Sequence, residues 1–261
     1  MSATPTHWIH WKSRVDVATR RCTIAWAQEF GNVNPVDIEI GAGNGLWLRT
    51  YGAENPARNV IGIELVGTFV RESNRRTLRD KQENIRHMAG DARMILALAF
   101  PDCSVGRAFV NFPDPWFKKR HKKRRLLNQP FLRMLSRKLV IGGDVVVATD
   151  DREYCDFTRE SFAEVPEFTP AFAGTHMEEL PGYPQTKYEK KWRGMGRGIH
   201  YMRYVNARNA DIDDDVYFRE QQLAYGLSLL GIPFESGATD QEISDDTQDA
   251  AIGQNAEHAG E

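Results

Sequence analysis

One stretch of this sequence concentrates the means for chemistry. Residues 111–125 read NFPDPWFKKRHKKRR, an acid held between two prolines and followed at once by cations. Proline fixes φ near roughly −65°, so Pro113 and Pro115 stiffen the loop and fix the aim of the Asp114 carboxylate. Lys118, Lys119, Arg120, Lys122, Lys123, Arg124 and Arg125 fill seven of the eight positions 118–125. A basic run is ordinarily a solvated loop or a targeting patch. Beside a rigid acidic and aromatic turn it instead suits phosphate contacts that bring a base to a reacting group. His121, inside the run, suits phosphate contact better than proton transfer.

A second cluster lies upstream. Glu39-Ile40-Gly41-Ala42-Gly43-Asn44-Gly45 stands where a first strand would hand over to a first helix. Glycines there permit a tight turn and close approach of a ligand to the backbone. A dinucleotide-binding loop would want its third glycine at position 46, which is Leu46. Three acids sharpen the choice: Glu39 before the turn, Glu64 at the end of a second strand, and Asp91 after Gly90. Along one sheet edge they suit, in that order, the cationic methionine end, the ribose hydroxyls and the adenine amine of S-adenosylmethionine. A pyrophosphate would not favour an acid at Glu39.

Weaker candidates surround these. Asp150 and Asp151 follow a strand and would act on substrate or simply cap the next helix. Thr186, Lys187, Tyr188 and Glu189 form a polar cluster in a long loop. Trp116 and Trp192 would stack on bases or pack inside. The sequence offers no convincing Cys or Lys nucleophile and no Ser/His/Asp set. Cys22, Cys103 and Cys155 lie far apart without metal-ligand spacing, so buried or idle thiols in a reducing cytosol and no metal are expected.

The elements that must position these residues alternate. Strands are expected at 36–40, 59–63 running into Glu64, 84–89, 107–112 and 143–149. Helices are expected at 66–80 and at 129–140, the latter entered through Asn128 and Pro130. Alternation of this kind implies right-handed βαβ units and a parallel α/β sheet covered on both faces, with ligands at the carboxyl ends of its strands. After Phe162 the pattern changes. Segments 167–173 and 198–205 read as an antiparallel hairpin, with no helix-length segment between them. Residues 216–230 read as one more helix, led in by Asp213 to Asp215.

The chain thus divides into an N-terminal segment (1–34), a main domain (35–210), a possible C-terminal helix (211–234) and a tail (235–261). The tail carries eight acidic residues and no Lys or Arg; without it the net charge of −2 becomes +6 for residues 1–234. Its polarity predicts disorder, and the basic remainder permits a polyanionic partner. No apolar run approaches the roughly 18 residues of a membrane span, and the N-terminus lacks a signal-peptide core.

These pieces together resemble the tRNA (guanine-N7)-methyltransferase family. The resemblance rests on EIGAGNG at 39–45, IGIEL at 61–65, GDA at 90–92, FPDPWFKKRHKKRRL at 112–126, ATDDREY at 148–154 and TKYEKKW at 186–192. It spans roughly 35–206; the FPDPW block is highly specific, whereas EIGxGxG and GDA are common to many methyltransferases. It implies a Rossmann-like class I methyltransferase fold, mostly parallel with a C-terminal antiparallel hairpin, and S-adenosylmethionine as cofactor. Glu39, Gly41, Gly43, Glu64, Asp91 and Asp114 would line the cofactor region, with Asp114 catalytic. Lys118, Asp150, Thr186, Lys187, Tyr188 and Glu189 would contact the substrate, and Arg120, His121, Lys122, Lys123, Arg124 and Arg125 the RNA. The implied target is a guanine in the tRNA variable loop, in the cytoplasm, by a monomer or homodimer. Two features depart from the family pattern: Trp8, Trp11, Arg14, Arg20 and Arg21 replace its basic N-terminal segment, and the acidic tail is additional.

The chemistry agrees. Guanine N7 has a free lone pair and no proton to lose, so alignment and facing anions suffice without a general base. Two rivals share the motifs: a methyltransferase acting on an exocyclic amine of RNA or DNA, and a catalytically silent RNA-binding module.

Overall fold

The computed structural model describes residues 7–22 and 24–234. The tail expected to be disordered, 235–261, lies outside them. The N-terminal segment forms a 3₁₀ turn (Trp11–Arg14), a two-stranded antiparallel hairpin of β1 (Val15–Asp16) and β2 (Arg21–Cys22), and α1 (Trp26–Phe30).

The main sheet has seven strands: β3 (Val36–Ile40), β4 (Asn59–Glu64), β5 (Ile85–Ala89), β6 (Val105–Asn111), β7 (Leu139–Thr149), β8 (Phe168–Pro170) and β9 (His200–Asn206), in the order β5-β4-β3-β6-β7-β9-β8. β3 to β7 are parallel neighbours; β9 runs antiparallel to β7, and β8 to β9. All five residues of β3 are buried, as expected of a central parallel strand covered on both faces. Between the strands run α2 (Leu46–Glu54), α3 (Gly67–Arg79), α4 (Ala92–Ala99), α5 (Gln129–Lys138) and α6 (Arg152–Ala163). Then come α7 (Lys187–Gly194), α8 (Asp214–Glu220) and α9 (Ala224–Ser228).

The larger core lies on one face of the sheet. There Ile95 and Leu98 of α4, Phe131 and Leu135 of α5, Tyr154 of α6 and Tyr217 of α8 join Trp11, Ile24 and Trp26. Trp47, Leu48 and Tyr51 of α2 cover the opposite face above Phe109 and Val146, with Leu180 and Tyr183 closing over them. Residues 7–9 lie along β5 as a short parallel addition: the His87 N–H donates to the His7 carbonyl at 2.7 Å and the Ile9 N–H to the His87 carbonyl at 2.8 Å. Among the described residues no helix is long and apolar enough to cross a membrane.

Three expectations need correction. The 174–197 region does contain a helix, α7, capped by Thr186, whose hydroxyl accepts from the Glu189 N–H at 2.9 Å. Its sequence KYEKKWRG carries no apolar stripe, so periodicity is silent; the sign of its start is the Thr-x-x-Glu spacing of a capping box. The single helix expected at 216–230 is two, because Gln222 takes a left-handed φ of 55° and the Leu223 N–H turns back to the Phe218 carbonyl. β7 starts four residues early, at Leu139, and so ends α5 at Lys138.

Candidate active site

The carboxyl ends of the parallel strands converge on one edge, and β9 begins there, His200 opposite Thr149. From β3 the chain turns through Gly41, Gly43 and Gly45, with φ of 77°, 51° and 70°. Gly45 is the most constrained, since a Cβ there would stand 1.7 Å from the Ser73 hydroxyl. Gly41 and Gly43 face open space within 4 Å, leaving their backbone approachable by a ligand.

Glu39, next to last in β3, is only 2% exposed. Its Oε1 accepts from Asn111 Nδ2 at 2.9 Å, and its buried Oε2 has no partner. Burial, reinforced by the nearby Glu64 charge, lifts its carboxyl to about 8 despite the Asn111 hydrogen bond. Asn111 Oδ1 in turn accepts from the Tyr183 hydroxyl at 2.6 Å, forming a Glu39–Asn111–Tyr183 chain. At the end of β4, the two Glu64 oxygens accept from Gly43 N and Val66 N, both at 2.8 Å. That acid therefore stitches the glycine turn to the start of α3. Asp91 caps α4, accepting from Arg93 N at 2.9 Å and from Arg93 Nε at 3.0 Å.

β6 delivers the proline-bracketed acid. Phe112 and Trp116, on either side of Pro113-Asp114-Pro115, take φ of 49° and 48°. Left-handed backbone costs a residue with a Cβ about 1–2 kcal/mol, so surrounding contacts must hold the turn. Phe112 N donates to the Ala148 carbonyl at 2.8 Å, and Arg125 Nε to the Pro115 carbonyl at 2.9 Å. Asp114 itself is exposed.

The cation run curls into a 3₁₀ helix over Lys119–Arg124. Lys118 and Arg120 are exposed, and His121 lies edge-on to Trp116 at 5.7 Å. Arg124 stacks over the same Trp116 ring at 5.2 Å, and Lys122 Nζ lies 2.6 Å from Glu153. Arg125 departs from the sequence reading, which grouped it with the phosphate-contacting cations. It is 3% exposed, bonds Glu153 at 2.7 Å and lies against Phe157 and Tyr154. Nothing in the local sequence separates it from its neighbours; the distinction is tertiary.

From β7, Asp150 accepts from Arg197 at 2.9 Å, whereas Asp151 caps α6 through the Tyr154 N–H. α7 brings the last cluster. Thr186 and Glu189 are buried, and Glu189 holds Arg193 at 2.8 Å. Tyr188 is 57% exposed with its ring 6.1 Å from Phe112, while Lys187 opens the helix. Trp192 lies under Arg197 at 4.3 Å and packs partly against Ala148 and Tyr201. The acids from β3, β4 and β5, the Asp114 turn and α7 thus ring one edge. Asn111, Tyr183, Arg93 and Arg197 join them without having been singled out; only Asn111 had a signal, its adjacency to the FPDPW block.

Comparison with known proteins agrees with this architecture. Residues 33–202 match the family model described as "Putative methyltransferase". The tRNA (guanine-N(7)-)-methyltransferase of Geobacter metallireducens is 34% identical over 187 residues, covering 69% of this chain and 85% of that protein. That of Listeria monocytogenes serotype 4b is 34% identical over 185 residues, covering 70% and 86%. Among solved structures, the 16S rRNA methyltransferase KamB superposes with a TM-score of 0.53 at 15% identity, over 69% of this chain and 92% of that one; this likeness speaks for the fold alone. The fold is therefore that of class I methyltransferases, which use S-adenosylmethionine. With the motif-bearing strand ends assembled on one edge and relatives matched over most of their length, the chain belongs to the tRNA (guanine-N7)-methyltransferase family.

Proposed function

We propose that this protein transfers a methyl group from S-adenosylmethionine to N7 of a guanine in the variable loop of tRNA, by positioning and electrostatics without a general base. The residues fit the cofactor: open glycine backbone lies beside a buried, partnerless carboxyl oxygen of Glu39, which suits an ammonium or sulfonium neighbour. Glu39, with Gly41 and Gly43, would hold the methionine end, Glu64 the ribose and Asp91 the adenine. The two Glu64 oxygens each keep a lone pair beyond their backbone bonds. When bound, S-adenosylmethionine supplies an electrophilic methyl group.

The observation that carries the reading is the Asp114 turn, a carboxylate aimed by two prolines and two left-handed residues at the end of β6. N7 needs no deprotonation, so Asp114 orients the guanine and faces the positive charge that develops on it. Lys118, Asp150, Thr186, Lys187, Tyr188 and Glu189 would surround the nucleotide, Thr186 and Glu189 by shaping the start of α7 that presents Tyr188. Arg120, His121, Lys122, Lys123 and Arg124 would meet phosphates, with Arg125 supporting the turn. On this reading the enzyme works in the cytoplasm, as a monomer or homodimer. Incubation of labelled S-adenosylmethionine with bulk tRNA, followed by nucleoside identification, should yield 7-methylguanosine. A product methylated on an exocyclic amine, or no product, would defeat the reading.

A further inference from the structure

A second chemical cluster lies behind the site, in side chains the methyl transfer does not use. Cys155 of α6, His176 of the segment before α7 and His200 at the start of β9 each offer a ligand atom, all within 4.8 Å of one another. Separations of 21 and 24 residues form no recognisable motif, so only the fold assembles them. We infer that Cys155, His176 and His200 form a site for a zinc-class divalent metal ion, tying α6, the 171–186 segment and β9 together.

The donor set is one thiol and two imidazoles, which zinc accepts at about 2.3 Å and about 2.0–2.1 Å. Tetrahedral geometry with those lengths sets ligand atoms roughly 3.4–3.6 Å apart, so the cluster must close by about 1.4 Å at most. Rotation of the two half-buried histidines would supply that. Their rings already meet edge to face at 4.4 Å. His200 Nδ1 is buried without a hydrogen-bond partner, and with the proton on Nε2 a metal would satisfy it. His176 Nδ1 is bonded to the Thr175 hydroxyl at 2.9 Å, the kind of outer contact that orients a ligating imidazole. The Cys155 thiol is fully buried, with its Sγ 3.7 Å from Met202 Sδ. The thiolate is the ligating form of cysteine, so metal binding displaces the thiol proton. Cys103 is exposed and shares none of this.

The site would fasten both flanks of residues 177–199, the stretch that contains α7 and Arg197. The ion would thereby limit how far Tyr188 and the Arg197–Asp150 pair move, with water completing its tetrahedral coordination.

Cobalt(II) is the probe. Titrated into the reduced, chelator-treated full-length chain, it should give a thiolate-to-cobalt charge-transfer band and intense d–d bands saturating at one equivalent, both displaced by zinc. Cys155→Ser should abolish the charge-transfer band, and His176→Gln and His200→Gln should each weaken binding at least tenfold; Cys103→Ser should change nothing. His176→Gln alters a half-buried segment, so it remains informative if Cys155→Ser fails to fold. Absence of the band in folded wild type, its survival at full affinity in both histidine variants, or its loss in Cys103→Ser would overturn the site. None of these outcomes depends on methylation activity.

Discussion

Glu39 and Asp114 are both acids at strand ends, and their surroundings give them opposite work. Glu39 is buried, with its carboxyl raised from 4.5 to about 8. A carboxyl raised on folding binds its proton more tightly in the native state. Its stabilising contribution is complete below about pH 4.5 and is lost as pH climbs through about 8. The unliganded protein should lose stability between pH 5 and 8.5, at up to about 1.4 kcal/mol per pH unit. Glu39→Gln should flatten that dependence in denaturant titrations. A cationic methionine end beside Glu39 would pull its proton off, so calorimetry in buffers of different ionisation enthalpy should record proton release on cofactor binding. Equal release in Glu39→Gln would remove this acid from the site. Asp114, exposed on its stiff turn, would work through charge and aim. Asp114→Asn keeps the shape, and should slow single-turnover methylation roughly 10²–10³-fold, the scale of one preorganised electrostatic group, with little change in cofactor affinity. A wild-type rate that rises log-linearly with pH, and loses that rise in Asp114→Asn, would instead mean that a proton is being removed.

At the scale of elements, the basic run 118–125 divides into a surface and a keystone, Arg125. Replacing Lys122, Lys123 and Arg124 together by Ala should flatten the salt dependence of tRNA binding by about two to three units, fewer if the bound RNA is single-stranded. Arg125→Ala removes charged hydrogen bonds from a buried guanidinium, a loss of about 1.5–3 kcal/mol each before relaxation. It should lower the melting temperature and the turnover rate while leaving the salt slope alone; a flattened slope would return Arg125 to the RNA face. The sequence could not show this division, because the contacts that bury Arg125 come from Pro115, Glu153 and Phe157 across the fold. What was legible had strong local physics. β3 and β4 were readable to the residue from apolar runs ending in Gly or Glu, and α5 started where Asn128 and Pro130 said it should. α7 was missed because its stability comes from a cap and a buried Glu189 rather than from an apolar face.

For the whole molecule, the acids, the Asp114 turn and the cation run were legible as candidates because their residue types are chemically expressive. Their convergence followed from a parallel sheet bringing strand ends to one edge. Asn111–Tyr183 and Cys155–His176–His200 were not legible, since each joins residues from unrelated parts of the chain. Charge acts at this scale too. Residues 1–234 carry +6 and the eight acids of 235–261 oppose them, so deleting 235–261 should tighten tRNA binding modestly at low salt. Weaker binding by the truncated chain would give the tail another role.

The pairing of residues 7–9 with β5 has a consequence for self-association. A sheet edge with free N–H and C=O groups is a template for another chain, and here the β5 side is covered by the molecule's own N-terminal segment. At the far side stands β8, three residues long and ending in Pro170, which has no N–H to offer. Among the described residues neither flank of the sheet offers a long open edge, which disfavours a homodimer built by strand addition. Trimming residues 1–10 should uncover β5, so that light scattering grows with concentration and time faster than for the intact chain. If the trimmed protein scatters no more than the intact one, those residues are dispensable to its solubility.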